Sequence, residues 1–262
     1  MAELLFWPVL LAYGEAAFAY LGETRRPGLP GRLATWGVRI GWLVQTALLG
    51  LQASRDEGFP WAGWAGSLNL FVWLVVGVYL IWGCQPRFRL LGLVVMPLAA
   101  VLLALAWWGG GTGVGVQTRY SNLFLLLHVG LVLVAFAGFT LAAGLSGLYL
   151  WQERRLKRRT ATILRLPAPS LAVLDRLAFR TIAVALPALT LGILVGIVRL
   201  AGSGARVDAL IAVTLVTWVV YGAYLGLRGF GGLHGRRAAY LALAGFVLVI
   251  VVRLGLPVTH FG

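Results

Sequence analysis

The chain has 262 residues, of which 60% are hydrophobic and only 11% charged. That balance, with a mean hydropathy of +0.90, excludes an ordinary soluble domain and fits a chain that crosses a membrane several times. The formal net charge of +14 does not point to nucleic acid, because the basic residues lie in short patches between apolar runs and not on one solvated face.

A helix needs about 20 apolar residues to cross a bilayer. Eight such runs are predicted, near 2–21, 32–52, 62–82, 89–108, 120–151, 180–199, 207–227 and 236–256. The expected fold class is all-α, a polytopic integral membrane protein with residues 1–262 forming one transmembrane domain. The single cysteine, Cys84, allows no internal disulfide, and there is no Cys-x-x-Cys-His, so the chain is not itself a c-type cytochrome. Met1-Ala-Glu3-Leu-Leu-Phe-Trp7-Pro8 has no basic segment and reads as part of the first spanning helix, not as a cleaved signal. Sixteen of the 22 Lys and Arg residues fall in alternate connections, after the first, third, fifth and seventh runs. Five lie on the other side (Arg55, Arg119, Arg199, Arg206 and Arg253), and Arg39 lies inside the second run. This asymmetry predicts a multi-pass protein of the cell (plasma) membrane with both termini outside the cytoplasm.

The first run carries Glu15, for which pairing with Arg39 of the second run is expected. The first external segment, from Arg55 to Trp73, includes Trp61 and Trp64. Its indoles suit an aromatic belt at the interface. Alternatively they form a flat floor for a planar ligand, with Ser67 and Asn69 as polar contacts at its edge. The second external segment, Trp107-Trp108-Gly-Gly-Gly-Thr-Gly-Val-Gly, has neither a preceding strand nor a Gly-Lys-Ser/Thr. It therefore reads as a flexible linker and not as a phosphate loop.

The fifth run contains His128, one imidazole in an otherwise hydrocarbon-compatible helix, and ends in Trp151-Gln-Glu-Arg154-Arg155-Leu-Lys157-Arg158-Arg159. An ionisable side chain at that depth is costly unless paired or ligated, which makes it a candidate functional residue. Beyond the basic cluster, Pro167 and Pro169 interrupt the chain and Ser170 is a plausible N-cap. Leu171, Leu174 and Leu177 then predict a short helix lying on the membrane surface, its arginines toward anionic lipid. The same basic connection also suits a docking surface for a cytoplasmic protein.

Three histidines occur in the chain. His234, among glycines and arginines, reads as a solvated loop residue. His128 and His260 share the outer side by the charge pattern. If the fifth and eighth helices are neighbours, the two imidazoles suit axial ligation of a haem iron. Trp61, Trp64, Trp107 and Trp108 would wall the pocket, and Arg119, Arg199 and Arg253 would meet the propionates. A zinc site would want more ligands than this pair supplies. A proton relay through Glu15 and His128, or a plain interhelical hydrogen bond, remains open at this level. Matched broken helices, as in a small-solute transporter, are absent.

The stretch Leu127-His128-Val129 through Leu148-Tyr-Leu-Trp-Gln152-Glu153-Arg154-Arg155-Leu156-Lys157 resembles the central helix of the cytochrome c assembly proteins (the CcmC/CcsA group), and within it the HemX-like branch. Leu174-Asp175-Arg176-Leu177, Thr190-Leu-Gly192, Thr217-Trp218-Val-Val-Tyr221-Gly-Ala-Tyr224 and His260-Phe261 continue the likeness. The resemblance covers the last four runs well and the first four loosely. It implies handling of haem at the outer membrane face, with His128 and His260 as iron ligands; with the residue reading above, the expectation is haem b with Arg119, Arg253, Trp61 and Trp64 around it. The family's tryptophan-rich loop has no counterpart, since residues 199–208 contain no Trp. That departure favours the HemX-like branch, whose members act as regulators of tetrapyrrole synthesis. No nucleophile or acid–base pair is visible, so an enzyme is not expected. The implied partners are membrane lipid, haem, and either cytochrome c biogenesis proteins or a cytoplasmic enzyme of haem synthesis.

Overall fold

The computed structural model describes residues 2–23, 28–54, 58–83, 85, 88–111, 121–158, 169–203 and 209–251. Its elements are eight helices: α1 (Ala2–Glu23), α2 (Leu29–Ala53), α3 (Trp64–Gly83), α4 (Arg89–Trp108), α5 (Asn122–Lys157), α6 (Leu171–Ser203), α7 (Ala209–Gly229) and α8 (Arg236–Ile250). The all-α, polytopic reading holds. Among the described residues six of the helices, α1 and α3 to α7, are long and apolar enough to cross a membrane. α2, which carries Arg32, Arg39, Gln45 and Gln52, and α8, described over 15 residues, do not meet that measure.

Lipid tails are as apolar as leucine, so helices in a bilayer associate through close backbone approach and interhelical hydrogen bonds. Two glycine seams follow this logic. On α2, Gly41 lies under Tyr13 and Ala12 of α1, where an added Cβ would come within 2.9 Å of the Tyr13 ring. On α6, Gly192 and Gly196 stand one turn apart against α5, and Gly138 of α5 meets Ala185 of α6 in the same seam. α1 to α4 pack in sequence, with α1 also against α4. α5 joins this group through α3 and α4, and it packs on α6 and α8 on its other sides. It is therefore the hub of the molecule, and sixteen of its residues are buried. On α7 the described buried side chains are Thr217, Tyr221 and Tyr224. Tyr221 wedges between α5 and α8, stacked on Phe139 at 3.8 Å and donating to the Ala242 carbonyl at 3.2 Å.

A chain of amides crosses the first four helices. Tyr13 Oη donates to Gln45 Oε1 at 2.7 Å, and Gln45 Nε2 donates to Asn69 Oδ1 at 2.9 Å. Asn69 Nδ2 donates to Gln52 Oε1 at 3.2 Å, and Gln52 Nε2 to the Gly111 carbonyl at 2.9 Å. All four side chains are buried. Each amide satisfies its neighbour, which is what makes polar groups tolerable at this depth.

Three expectations need correction. The separate surface helix after Ser170 does not exist: Ser170 does cap it, with its Oγ accepting from Val173 N at 3.4 Å, but the helix runs unbroken from Leu171 to Ser203. The reason is burial. Leu174, Ala178, Ile182, Ala185 and Leu189 form one continuous buried stripe, so residues 171–180 are the first turns of the long helix. The glycine run after Trp108 is a helix terminator over its first three residues. Gly110 adopts φ +77°, Gly111 N donates to Ala106 O and Gly110 N to Trp107 O, the paired bonds of a Schellman cap. Residues 112–120 lie outside the described residues. Glu15 sits exposed on α1, and the Arg39 guanidinium lies over the Trp36 ring at 5.0 Å. Asn69, expected at the edge of an external pocket, belongs instead to the buried amide chain, and Ser67 is turned back onto the Trp64 carbonyl.

Candidate functional site

The site forms where α5 begins. Ser121 has extended backbone and its Oγ accepts from Phe124 N at 3.4 Å, so the helix starts at Asn122. His128 is six residues in, about 9 Å along the axis. Its ring stacks on Phe124, with centroids 5.8 Å apart and planes 4° from parallel. Its Nδ1 lies 2.9 Å from the carbonyl oxygen of Gly192 on α6. A carbonyl only accepts, so Nδ1 carries the proton, and in the neutral ring the lone pair is on Nε2. This is the arrangement in which a backbone oxygen fixes both the tautomer and the orientation of a ligating imidazole.

The notch that admits the ring is made of glycine. A Cβ on Gly196 would stand 2.8 Å from His128 Cε1 and 3.2 Å from Nδ1. Any larger residue there would displace the imidazole. Gly196 therefore serves twice, bringing the helices together and making room for the ring, while Gly192 packs against Val132 and Leu131 and supplies the carbonyl.

The turn before α3 closes over the same helix end. Phe59 and Ala62 pack with Leu125 in a small buried cluster flanked by Trp61 and Phe124. Phe59 and Trp61 meet edge to face at 5.5 Å. Trp61 Nε1 is buried and has no acceptor among the described residues. A buried N–H without a partner is rare in proteins and calls for an explanation. Aromatic surface thus runs from Trp61 through Phe124 to His128.

The other predicted tryptophans stand elsewhere. Trp64, 43% exposed, lies across Gly109 at the end of α4. Trp107 stacks on Phe6 at 5.6 Å and meets Trp7 at 5.2 Å, against α1. Trp108 is largely exposed. Arg119, Arg253 and His260 lie outside the described residues, as does the side chain of Arg199. α5 and α8 are neighbours, as the pairing of His128 with His260 requires. His234 is exposed, its Nδ1 2.6 Å from the Gly232 carbonyl, in keeping with a loop residue. No three His, Cys, Asp or Glu side chains gather among the described residues, so the zinc alternative finds no ligand set there.

At the opposite end of α5, Asp175 ties three elements together. It accepts from Arg228 Nη1 at 2.9 Å and Nη2 at 2.5 Å, and from the Gly235 amide at 3.2 Å, while the Arg228 guanidinium lies over Phe179. Sequence reasoning passed over this latch and over the carbonyl of Gly192. The spacing Gly192-x-x-x-Gly196 was the available signal for the second.

Comparison with known proteins gives a consistent result. Residues 61–260 match the model of the family described as cytochrome c assembly protein. A cytochrome c biogenesis protein CcsA of Microcystis aeruginosa is 28% identical, covering 96% of this chain and 90% of that protein. One from Picosynechococcus is 26% identical, covering 99% and 93%. One from Synechococcus elongatus is 28% identical, covering 95% and 90%. The alignment to the Microcystis protein runs over 303 positions, more than the 262 residues here, so that relative holds residues with no counterpart in this chain. No solved structure matches.

Proposed function

The chain belongs to the cytochrome c assembly protein family, and we propose that it carries haem b as cargo at the outer membrane face, with the iron held between His128 and His260. The observation that carries this reading is the hydrogen bond from His128 Nδ1 to the Gly192 carbonyl, which turns the Nε2 lone pair into a ligand of fixed direction. The described residues suit the group in two further ways. Phe124 presents an aromatic face to the imidazole, Trp61 flanks the neighbouring cluster of Phe59, Ala62 and Leu125, and the buried Trp61 N–H is a donor ready for a carboxylate. Arg119 and Arg253 complete the reading as propionate partners. We read the chain as a carrier and not as an enzyme, since among the described residues no nucleophile or acid–base pair accompanies His128. We place it in the plasma membrane with both termini outside the cytoplasm, on the basic asymmetry of its connections. Other cytochrome c biogenesis proteins are its expected partners. The HemX-like regulatory reading draws no support from the relatives, which are named CcsA.

The test is a visible spectrum of protein purified from haem-replete cells. A Soret band is expected in the wild type and lost in both His128→Ala and His260→Ala. A colourless wild type, or a band unchanged in His128→Ala, overturns the proposal.

A further inference from the structure

At the basic end of the molecule, far from His128, a groove of about 510 Å³ opens between α5 and α8. That volume is within the range of small-ligand sites, roughly 300–1,000 Å³. Its α5 wall runs along a single helical face, from Gly147 through Leu150 and Trp151 to Arg154, Arg155 and Arg158. That is eleven helical steps, about 16 Å of axis. Polarity changes along it in order. Gly147 and Leu150, with Leu243 of α8, make an apolar lower part. Trp151 and Tyr240 occupy the middle, and three guanidinium groups form the mouth. The Arg155 guanidinium lies over the Trp151 ring at 4.5 Å, and Tyr240 Oη accepts from Arg236 at 3.2 Å, so the aromatic belt and the basic rim are joined.

Hydrocarbon, then amphipathic aromatic, then cation is the polarity profile of one bilayer leaflet at its headgroup boundary. The lower part is open: a Cβ at Gly147 would meet nothing within 4 Å. We propose that this groove is a binding site for one anionic phospholipid, its phosphate held by Arg154, Arg155 and Arg158 and its upper acyl chain lying over Gly147 and against Leu243. The site is independent of the haem reading and of which side of the membrane faces the cytoplasm.

The test uses the full chain purified in detergent, with bound lipid counted by native mass spectrometry during titration. Phosphatidylglycerol is expected to bind at least about tenfold more tightly than phosphatidylcholine of the same chain length. The triple variant Arg154→Gln, Arg155→Gln, Arg158→Gln is expected to lose that preference and keep the weak phosphatidylcholine binding. Gly147→Leu, which fills the apolar part and leaves every charge in place, is expected to lose phosphatidylglycerol as well. Equal binding of the two lipids overturns the proposal, and so does full retention by both variants. Displacement of the lipid by millimolar inorganic phosphate would also overturn it, because it would reduce the site to a bare anion patch. His128→Ala is expected to bind lipid as the wild type does, which separates this result from the fate of the haem reading.

Discussion

His128 and Gly196 are matched as ring and recess: the imidazole Cε1 lies only 2.8 Å from where a Cβ on Gly196 would stand. The ring is thus held by the Gly192 carbonyl at one edge and by absent side-chain volume at another. Gly196→Ala is expected to fold, since a helix gains from the change, but to tilt the imidazole off its hydrogen bond. Loss of a group that orients a ligand typically costs about 10–100-fold in affinity. Haem retention, measured as Soret absorbance per polypeptide after gel filtration, should therefore fall roughly tenfold. Retention equal to the wild type would mean that the ring's orientation does not matter.

Trp61 offers a subtler probe. Its indole nitrogen is buried without an acceptor among the described residues, and such a group costs about 1–3 kcal/mol. Trp61→Phe keeps an aromatic ring beside Phe59 and removes the N–H. In haem-free protein the thermal midpoint should stay level or rise, because an unsatisfied donor has gone. In loaded protein haem affinity should fall by about one hydrogen bond to a charged group, roughly 1.5–3 kcal/mol. A falling midpoint with unchanged affinity would assign the indole to packing alone.

Much of the architecture was legible because membrane helices are written in composition. The run 89–108 coincides with α4, bounded by Phe88 at its N-cap on one side and the Gly109–Gly111 terminator on the other. α6 was misread at its start because a stripe at Leu171, Leu174 and Leu177 looks the same whether it meets lipid or another helix. Only Leu174 lies fully buried, against a neighbour that the sequence does not name. His128 stood out as one imidazole in a hydrocarbon run, but its anchor is a backbone oxygen, which leaves no residue signature. Gln45 and Gln52 passed unnoticed, and Asn69 was assigned to a pocket edge, because their meaning is collective: each is an ordinary amide until α2 and α3 bring them together. The four expected tryptophans proved to be dispersed, since residues close in the chain part company where a turn meets a helix.

The amide chain should behave as one unit. Asn69→Leu leaves Gln52 Oε1 without its buried donor, at about 1–3 kcal/mol, and takes from Gln45 Nε2 its side-chain acceptor, leaving it the residue 69 carbonyl at 3.2 Å. Gln45→Leu strands Tyr13 Oη as well. The double variant Gln45→Leu, Asn69→Leu should be less destabilised than the sum of the singles, because the second change removes a group that the first had orphaned. Thermal unfolding in one detergent gives the three midpoints. Strict additivity would mean that the amides contribute separately.

The latch at the other end predicts an asymmetry between two mild substitutions. Asp175 accepts both Nη atoms of Arg228 and the Gly235 amide, which no lysine can reproduce from the Arg228 side. The pair is largely withdrawn from solvent, with side-chain exposures of 8% for Arg228 and 17% for Asp175. Asp175→Asn removes the charge, keeps one acceptor and leaves a guanidinium uncompensated, so it should cost more than Arg228→Lys, which keeps the charge and loses the fork. Breaking such a pair by removing one partner costs about 3–5 kcal/mol when fully buried, and roughly 2–3 kcal/mol is expected at this partial exposure. The damage should be local. Protease sensitivity should rise in the turn between α7 and α8, which Asp175 holds through Gly235, while Soret absorbance at the distant His128 should survive. Equal loss of stability and of haem would mean instead that the latch and the imidazole belong to one cooperative unit running the length of α6.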